Sequence, residues 1–214
     1  MTDCRARGAD VRQHSYSIMR VITGKYKGRR FEIPRTFKAR PTTDFAKENL
    51  FNVLRGYVDF EECDALDLFA GTGSITLELL SRGCRNVTSV ELDREHFAFI
   101  SSVIRKLDDG NCRLLRADAL RYISRCRERY DIIFADPPYA LRELKDIPDL
   151  VMNAHLLNDG GVFVLEHGKT QDFSTHPCFV EHRAYGSVNF SFFKNPGPAI
   201  QNPSPEEDKN GTQE

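Results

Sequence analysis

The chain has 214 residues, 40% of them hydrophobic, with a formal net charge of −1. That is enough for one folded domain with a short appendage, and the near-neutral balance alone says nothing about nucleic acid. No apolar run approaches the roughly 20 residues of a membrane span, and no apolar core follows a charged start, so neither insertion nor secretion is indicated and the chain reads as cytoplasmic.

Residues 1–18 are polar and without period and are expected to form a disordered extension. Residues 20–23 and 30–33 are short β-prone runs bracketing Gly24-Lys25-Tyr26-Lys27-Gly28-Arg29, a pattern that predicts a hairpin with a basic, finger-like turn. From Arg20 to Lys47 there are nine basic residues against two acidic ones. Such a segment can meet phosphates, although a merely solvated basic surface has the same composition. Arg40-Pro41-Thr42-Thr43-Asp44 then leads into apolar residues at Phe45, Leu50, Phe51, Val53 and Leu54, which predicts a helix capped by Thr43 or Asp44.

From residue 65 onward strands and helices alternate. Residues 65–69 read as a buried strand, Gly71-Thr72-Gly73 as a tight turn and 74–80 as a helix. Strands at 87–90, 112–115 and 130–135 are separated by helices at 94–107 and 119–126. This alternation predicts parallel strands joined by right-handed crossovers, with helices on both faces. A helical stretch at 147–157, a strand at 161–166 and a closing antiparallel hairpin of 179–184 and 188–193 follow. Residues from Pro196 onward are rich in Pro, Asn, Gly and acid and are expected to be a disordered tail. The six cysteines (Cys4, Cys63, Cys84, Cys112, Cys126, Cys178) include no CxxC pair, which argues against zinc and against a disulfide framework.

Three features of this pattern carry chemistry. Asp136-Pro137-Pro138-Tyr139 sits just past the strand at 130–135, at the mouth where open α/β sheets keep ligands. An aspartate and the proline carbonyls accept hydrogen bonds from an amino group, and a tyrosine ring offers a flat face to a base. In Asp67-Leu68-Phe69-Ala70-Gly71-Thr72-Gly73 the glycines let backbone pass close to a ligand, and Glu91, 20 residues beyond Gly71, stands where an acid can accept from both hydroxyls of a ribose. Asp118 follows the third strand of the alternating region, where it meets an adenine edge, caps a helix, or both. Position 76 is Thr76, so the third glycine of a dinucleotide fingerprint is missing, which favours a smaller nucleoside cofactor over a nicotinamide dinucleotide.

These residues resemble the motifs of the S-adenosylmethionine-dependent amino-methyltransferases. With Gly24-Lys25-Tyr26-Lys27-Gly28-Arg29-Arg30 and Arg40-Pro41-Thr42-Thr43-Asp44 added, the chain is similar specifically to the bacterial 16S ribosomal RNA guanine-N2 methyltransferases of the RsmD type, over about Met19 to Lys194. The resemblance implies a Rossmann-like class I fold: a mostly parallel seven-stranded sheet at 45–195, preceded by a substrate-binding arm at 19–44. It also implies S-adenosylmethionine held by Asp67, Phe69, Gly71, Gly73, Glu91, Asp118 and Asp136. Asp136, Pro137 and Tyr139 would be catalytic, with no metal required. Thr42, Thr43, Pro138 and Tyr139 would contact the substrate, while Lys25, Lys27, Arg29, Arg30 and Arg40 would bind 16S ribosomal RNA within the small subunit or its assembly intermediate.

Competing readings are a DNA adenine amino-methyltransferase, which shares the pocket and the Asp-Pro-Pro-Tyr site, and a ribosome-assembly factor that binds RNA without turnover. A single catalytic domain with a short basic arm offers little sequence readout, which suits a substrate already shaped by ribonucleoprotein. Glu166-His167-Gly168, after a later strand, can line the cleft but receives no catalytic assignment.

Overall fold

The computed structural model describes residues 17–37 and 42–195. Most of the expected extension, Arg40 and Pro41 of the arm, and everything from Pro196 lie outside them. The chain begins with strands β1 (Ser17–Arg20) and β2 (Arg30–Ile33), which pair antiparallel with Met19 opposite Phe31. Helix α1 (Asp44–Leu54) follows, with the Thr43 hydroxyl accepting from the Ala46 amide at 3.2 Å as the cap. Alternation then sets in: β3 (Asp64–Asp67), α2 (Ser74–Ser81), β4 (Asn86–Glu91), α3 (Arg94–Leu107), β5 (Cys112–Arg116), α4 (Ala119–Arg125) and β6 (Tyr130–Ala135). The chain closes with α5 (Ile147–Asn153), β7 (Leu157–His167), β8 (Phe179–Tyr185) and β9 (Val188–Lys194).

Strands β3 to β9 form one seven-stranded sheet in the order β5-β4-β3-β6-β7-β9-β8. The pairs β3–β4, β4–β5, β3–β6 and β6–β7 are parallel, whereas β9 runs antiparallel to both β7 and β8. This is the expected Rossmann-like class I architecture. Its strand order reverses between β3 and β6, so the crevice above their carboxyl ends is where such a sheet accepts a ligand. Period-two alternation distributes the core over both faces: Ala65, Ile132 and Val162 pack with α1, α2 and α3, and Leu66, Ile133 and Phe163 pack with α4 and α5.

Four local expectations are corrected. Strand β1 starts at Ser17, so Ser17 and Ile18, assigned to the extension, pair with Ile33 and Glu32. The basic turn is not a projecting finger, because Met19, Val21, Phe31 and Ile33 are buried in the core and pull the hairpin against the domain. Its Gly24 (φ +90) lies so close to α2 that an added Cβ would stand 1.8 Å from the Ser81 carbonyl oxygen. The helix expected to run to Leu157 stops at Asn153: His155 adopts a left-handed φ of 53° and Leu157 already pairs with Tyr130. The first strand of the sheet ends at Asp67, which frees Leu68 and Phe69 to turn into the glycine loop.

Among the described residues no helix is long and apolar enough to cross a membrane. Cys63, Cys84 and Cys126 are buried free thiols, as small hydrophobes would be.

Candidate active site

Parallel strands bring their carboxyl ends to one edge, and this edge is lined by acids. Asp67 ends β3, Glu91 ends β4, Asp118 precedes α4, Asp136 directly follows β6 and Glu166 is the penultimate residue of β7. Register places them relative to one another. Asp67 pairs with Phe134 and Leu165 pairs with Ala135, so Asp136 and Glu166 leave adjacent strands side by side. Among the described residues these acids do not form a metal-holding group.

A cleft of about 420 Å³ opens along the edge, lined by Phe69, Gly71, Glu91, Asp118, Asp136 and Pro138 among others. Glu91 is fixed by two amides: the Gly71 N–H donates to Oε2 and the Asp93 N–H to Oε1, both at 2.7 Å. A carboxylate has further lone pairs, so this anchoring orients Glu91 without exhausting it. Gly73 occupies the cap position of α2 at φ 79°, and a Cβ there would come within 3.0 Å of Ile100 Cγ1. Asp118 caps α4, accepting from the Arg121 amide at 2.9 Å, and also lines the cleft. A smaller cavity of about 70 Å³ adjoins it, lined by Thr42, Asp67, Phe69, Thr72 and Asp136. Phe69, Gly71 and Asp136 border both spaces and join them.

Electrostatics at this edge oppose negative charge. Burial, with a smaller contribution from Glu91, pushes the Asp67 carboxyl up to about 7, even though the Thr76 hydroxyl and amide donate to its Oδ2 at 2.7 and 3.1 Å. Asp136 is likewise pushed up to about 7, by burial first and then by the charge of Asp67. Glu166 rises to about 9, again through burial and then the charge of Asp136, against the hydrogen bonds of the Thr42 and Tyr139 hydroxyls. Asp67 Oδ1 and Glu166 Oε2 are buried and find no hydrogen-bond partner among the described residues. Three crowded carboxyls with two unmatched oxygens form a site that accepts positive charge and hydrogen-bond donors.

The Asp-Pro-Pro-Tyr turn is closed by the Leu141 amide donating to the Pro138 carbonyl at 2.8 Å, while Pro137 is buried. Tyr139 is 53% exposed. Its ring lies against Gly168, where an added Cβ would meet Cδ2 at 3.7 Å.

A buried cation ties the arm to the domain. Lys47, 1% exposed, donates to the Arg20 carbonyl at 2.5 Å and to Ser74 Oγ at 3.2 Å, and lies 3.4 Å from Glu78 Oε1. Burial holds the Lys47 pKa below the usual lysine range although Glu78 and Asp44 pull it up. Thus Lys47, counted with the basic surface from sequence, is structural, and it locks α1 to α2 so that Thr42 borders the cavity and Thr43 caps the helix. Lys25 is also engaged: the amide nitrogens of Lys25 and Tyr26 bond Ser81 at the end of α2 remote from the cleft, and Lys25 Nζ lies 3.0 Å from Asp109. Lys27, Arg29 and Arg30 are exposed.

Sequence reasoning gave Glu166 no role. Its position one residue past the strand register shared with the Asp-Pro-Pro-Tyr turn was the available signal, but that required knowing that β6 and β7 are neighbours.

Comparison with known proteins places this geometry among relatives. A family model described as "Conserved hypothetical protein 95" matches residues 19–194. The chain is 31% identical over 181 residues to "Ribosomal RNA small subunit methyltransferase D" of Buchnera aphidicola subsp. Baizongia pistaciae, covering 83% of this chain and 92% of the relative. It is 31% identical over 160 residues to the protein of the same name from Escherichia coli K12, covering 75% and 80%. The solved structure of yhhF from Escherichia coli superposes with a TM-score of 0.75 at 27% identity, covering 84% of this chain and 99% of that one.

Proposed function

The chain belongs to the family described as conserved hypothetical protein 95, and from that membership and the geometry of its cleft we propose that it is an S-adenosylmethionine-dependent ribosomal RNA methyltransferase acting on the exocyclic N2 amine of a guanine in 16S RNA. The observation that carries this reading is the placement of Asp136-Pro137-Pro138-Tyr139 at the switch point of the sheet, with Asp136 and Pro138 lining the same cleft as Glu91 and Asp118. A substrate in the ribosome's small subunit, or in its assembly intermediate, implies a cytoplasmic location.

The residues fit the cofactor. Glu91, steadied by Gly71 and Asp93, would hold the ribose, Asp118 the adenine edge, and the unmatched Asp67 Oδ1 the amino group, with Phe69 and Gly71 shaping the floor and Gly73 turning the chain into α2. When bound there, the cofactor supplies an electrophilic sulfonium methyl. Its positive charge favours the ionised forms of Asp67 and Asp136, which burial and mutual repulsion otherwise disfavour.

The protein's own contribution is positioning. A guanine amine is a poor nucleophile because its lone pair is delocalised into the ring, so it must be held in line with the methyl. Asp136 and the Pro137 carbonyl accept the two N–H bonds, and the Asp136 carboxylate stabilises the positive charge that develops on nitrogen. Tyr139, half exposed and close in sequence to Asp136, stacks on the extruded base. The proton released from nitrogen passes to Asp136 or to water. Lys27, Arg29, Arg30 and Arg40 meet the phosphates of the surrounding RNA.

The test is to incubate purified protein and labelled S-adenosylmethionine separately with small-subunit RNA, assembled small subunit and DNA from cells lacking the protein, then digest to nucleosides. Label in N2-methylguanosine is expected. Label in a methylated adenine of DNA, or none in RNA or subunit, overturns the reading.

A further inference from the structure

We infer that Glu166 accepts the ring N1–H of the guanine whose amine Asp136 holds, and so is the residue that selects guanine over adenine and cytosine. The inference rests on the guanine-N2 activity proposed above.

Glu166 is 5% exposed, yet its Oε2 finds no partner among the described residues. A buried polar oxygen left unmatched is costly, and such groups persist where a ligand completes them. Register puts Glu166 on the strand next to Asp136, about 4.8 Å away across the sheet, the spacing between hydrogen-bonded neighbours. The hydroxyls of Thr42 and Tyr139 lie close enough to its carboxyl to favour the charged form. Tyr139 thus stands beside Glu166, so a base stacked on its ring is brought next to that carboxyl.

The three amine-bearing bases differ at the atom beside the amine. Guanine presents N1–H there, a donor, whereas adenine and cytosine present a bare ring-nitrogen lone pair. With the amine on Asp136, an acceptor on the neighbouring strand completes a hydrogen bond with guanine and meets a lone pair in the other two. Burial strengthens the contrast, because a site built around an unmatched acceptor rejects a ligand that leaves it unmatched. The bond also draws ring N–H electrons toward the base, favouring the nucleophilicity of the adjacent amine. In its acid form Glu166 still presents one unprotonated carboxyl oxygen, so it remains an acceptor in either state.

The probe is small-subunit RNA in which the methylated guanine, once mapped, is replaced by 2-aminopurine through splinted ligation. This base keeps the amine and has a lone pair in place of N1–H. Wild-type protein is expected to methylate it at least about tenfold more slowly than guanine, and to bind the substituted RNA more weakly in the absence of cofactor. Glu166→Gln, whose amide donates as well as accepts, is expected to turn over guanine more slowly and to bring the two rates within about threefold of each other. Equal wild-type rates on the two RNAs, or an unchanged ratio in Glu166→Gln, overturn the assignment. If Glu166→Gln does not fold, the wild-type comparison alone decides. Failure of wild-type protein to methylate the guanine RNA is a different result, which removes the proposed function and this assignment with it.

Discussion

Lys25 Nζ lies 3.0 Å from Asp109 Oδ2, and the Tyr26 hydroxyl donates to the same oxygen at 2.8 Å. This cluster sits at the end of α2 remote from the cleft, so Lys25 fastens the hairpin to the domain and is not free to follow an RNA strand. Asp109 is held below the usual carboxylate range by these bonds and by the Asn111 amide, against the opposing effect of burial. Lys25→Ala is expected to cost about 0.2–1 kcal/mol of stability and to leave the salt dependence of RNA binding unchanged. Lys27→Ala with Arg30→Ala should flatten that dependence by about 0.7–0.9 log units for each phosphate no longer neutralised. Binding titrations from roughly 50 to 300 mM salt, where counterion release dominates the affinity, separate the two variants. A flatter slope for Lys25→Ala would contradict the anchoring role.

Asp136→Asn removes the charge opposite the developing ammonium while preserving shape. Turnover on ribosomal RNA is expected to fall by about 10²–10³-fold, the typical cost of losing one such stabilising group. Affinity for S-adenosylhomocysteine, which lacks the sulfonium charge, should change little, since Glu91 and Asp118 remain. Calorimetry with S-adenosylhomocysteine alongside single-turnover methylation checks both statements; a variant at wild-type rate would remove Asp136 from the chemistry.

On the proposed reading Tyr139 contributes a ring to the base, while its hydroxyl lies beside Glu166. Its phenol is pushed up to about 12 by burial and by the charges of Glu166 and Asp136, so it stays protonated and serves as a hydrogen-bond donor. Tyr139→Ala is expected to lose about 1–3 kcal/mol of stacking in kcat/KM, whereas Tyr139→Phe retains the ring and should be mild. Equal losses in the two variants would assign the effect to the hydroxyl.

Much of this architecture was legible because period and punctuation agreed. The run Tyr130–Ala135 followed by Asp-Pro-Pro-Tyr, the glycines at 71 and 73, and Glu91 at the end of its strand each announce a local geometry that the sheet confirms. What escaped notice depends on contacts between distant segments. Lys47 looks like a surface cation until α2 brings Glu78 and Ser74 to it, and Lys25 until Asp109 arrives from 84 residues away in the chain. Glu166 acquires meaning only through the β6–β7 register. The helix that ended early at Asn153 did so because pairing of Leu157 with Tyr130 outweighed an apolar spacing that suits a helix equally well.

The three carboxyls also make stability depend on pH. Unfolded, such groups titrate near about 4, whereas in the fold Asp67 and Asp136 do so at about 7 and Glu166 at about 9. Below about pH 4 both states hold the protons, and their contribution to stability is fully present. As pH rises the unfolded chain releases protons that the fold retains, so this contribution is lost progressively until the folded groups ionise. Glu166→Gln removes one titration and relieves Asp136 of a neighbouring charge. Its melting temperature is expected to match wild type at about pH 4 and to exceed it increasingly toward about pH 9, by about 2–4 °C for each kcal/mol. A cationic ligand at this edge should narrow the gap by stabilising the wild-type carboxylates. Melting curves across that range, with and without S-adenosylmethionine, provide the check; a gap independent of pH would mean that Glu166 is not titrating against Asp136.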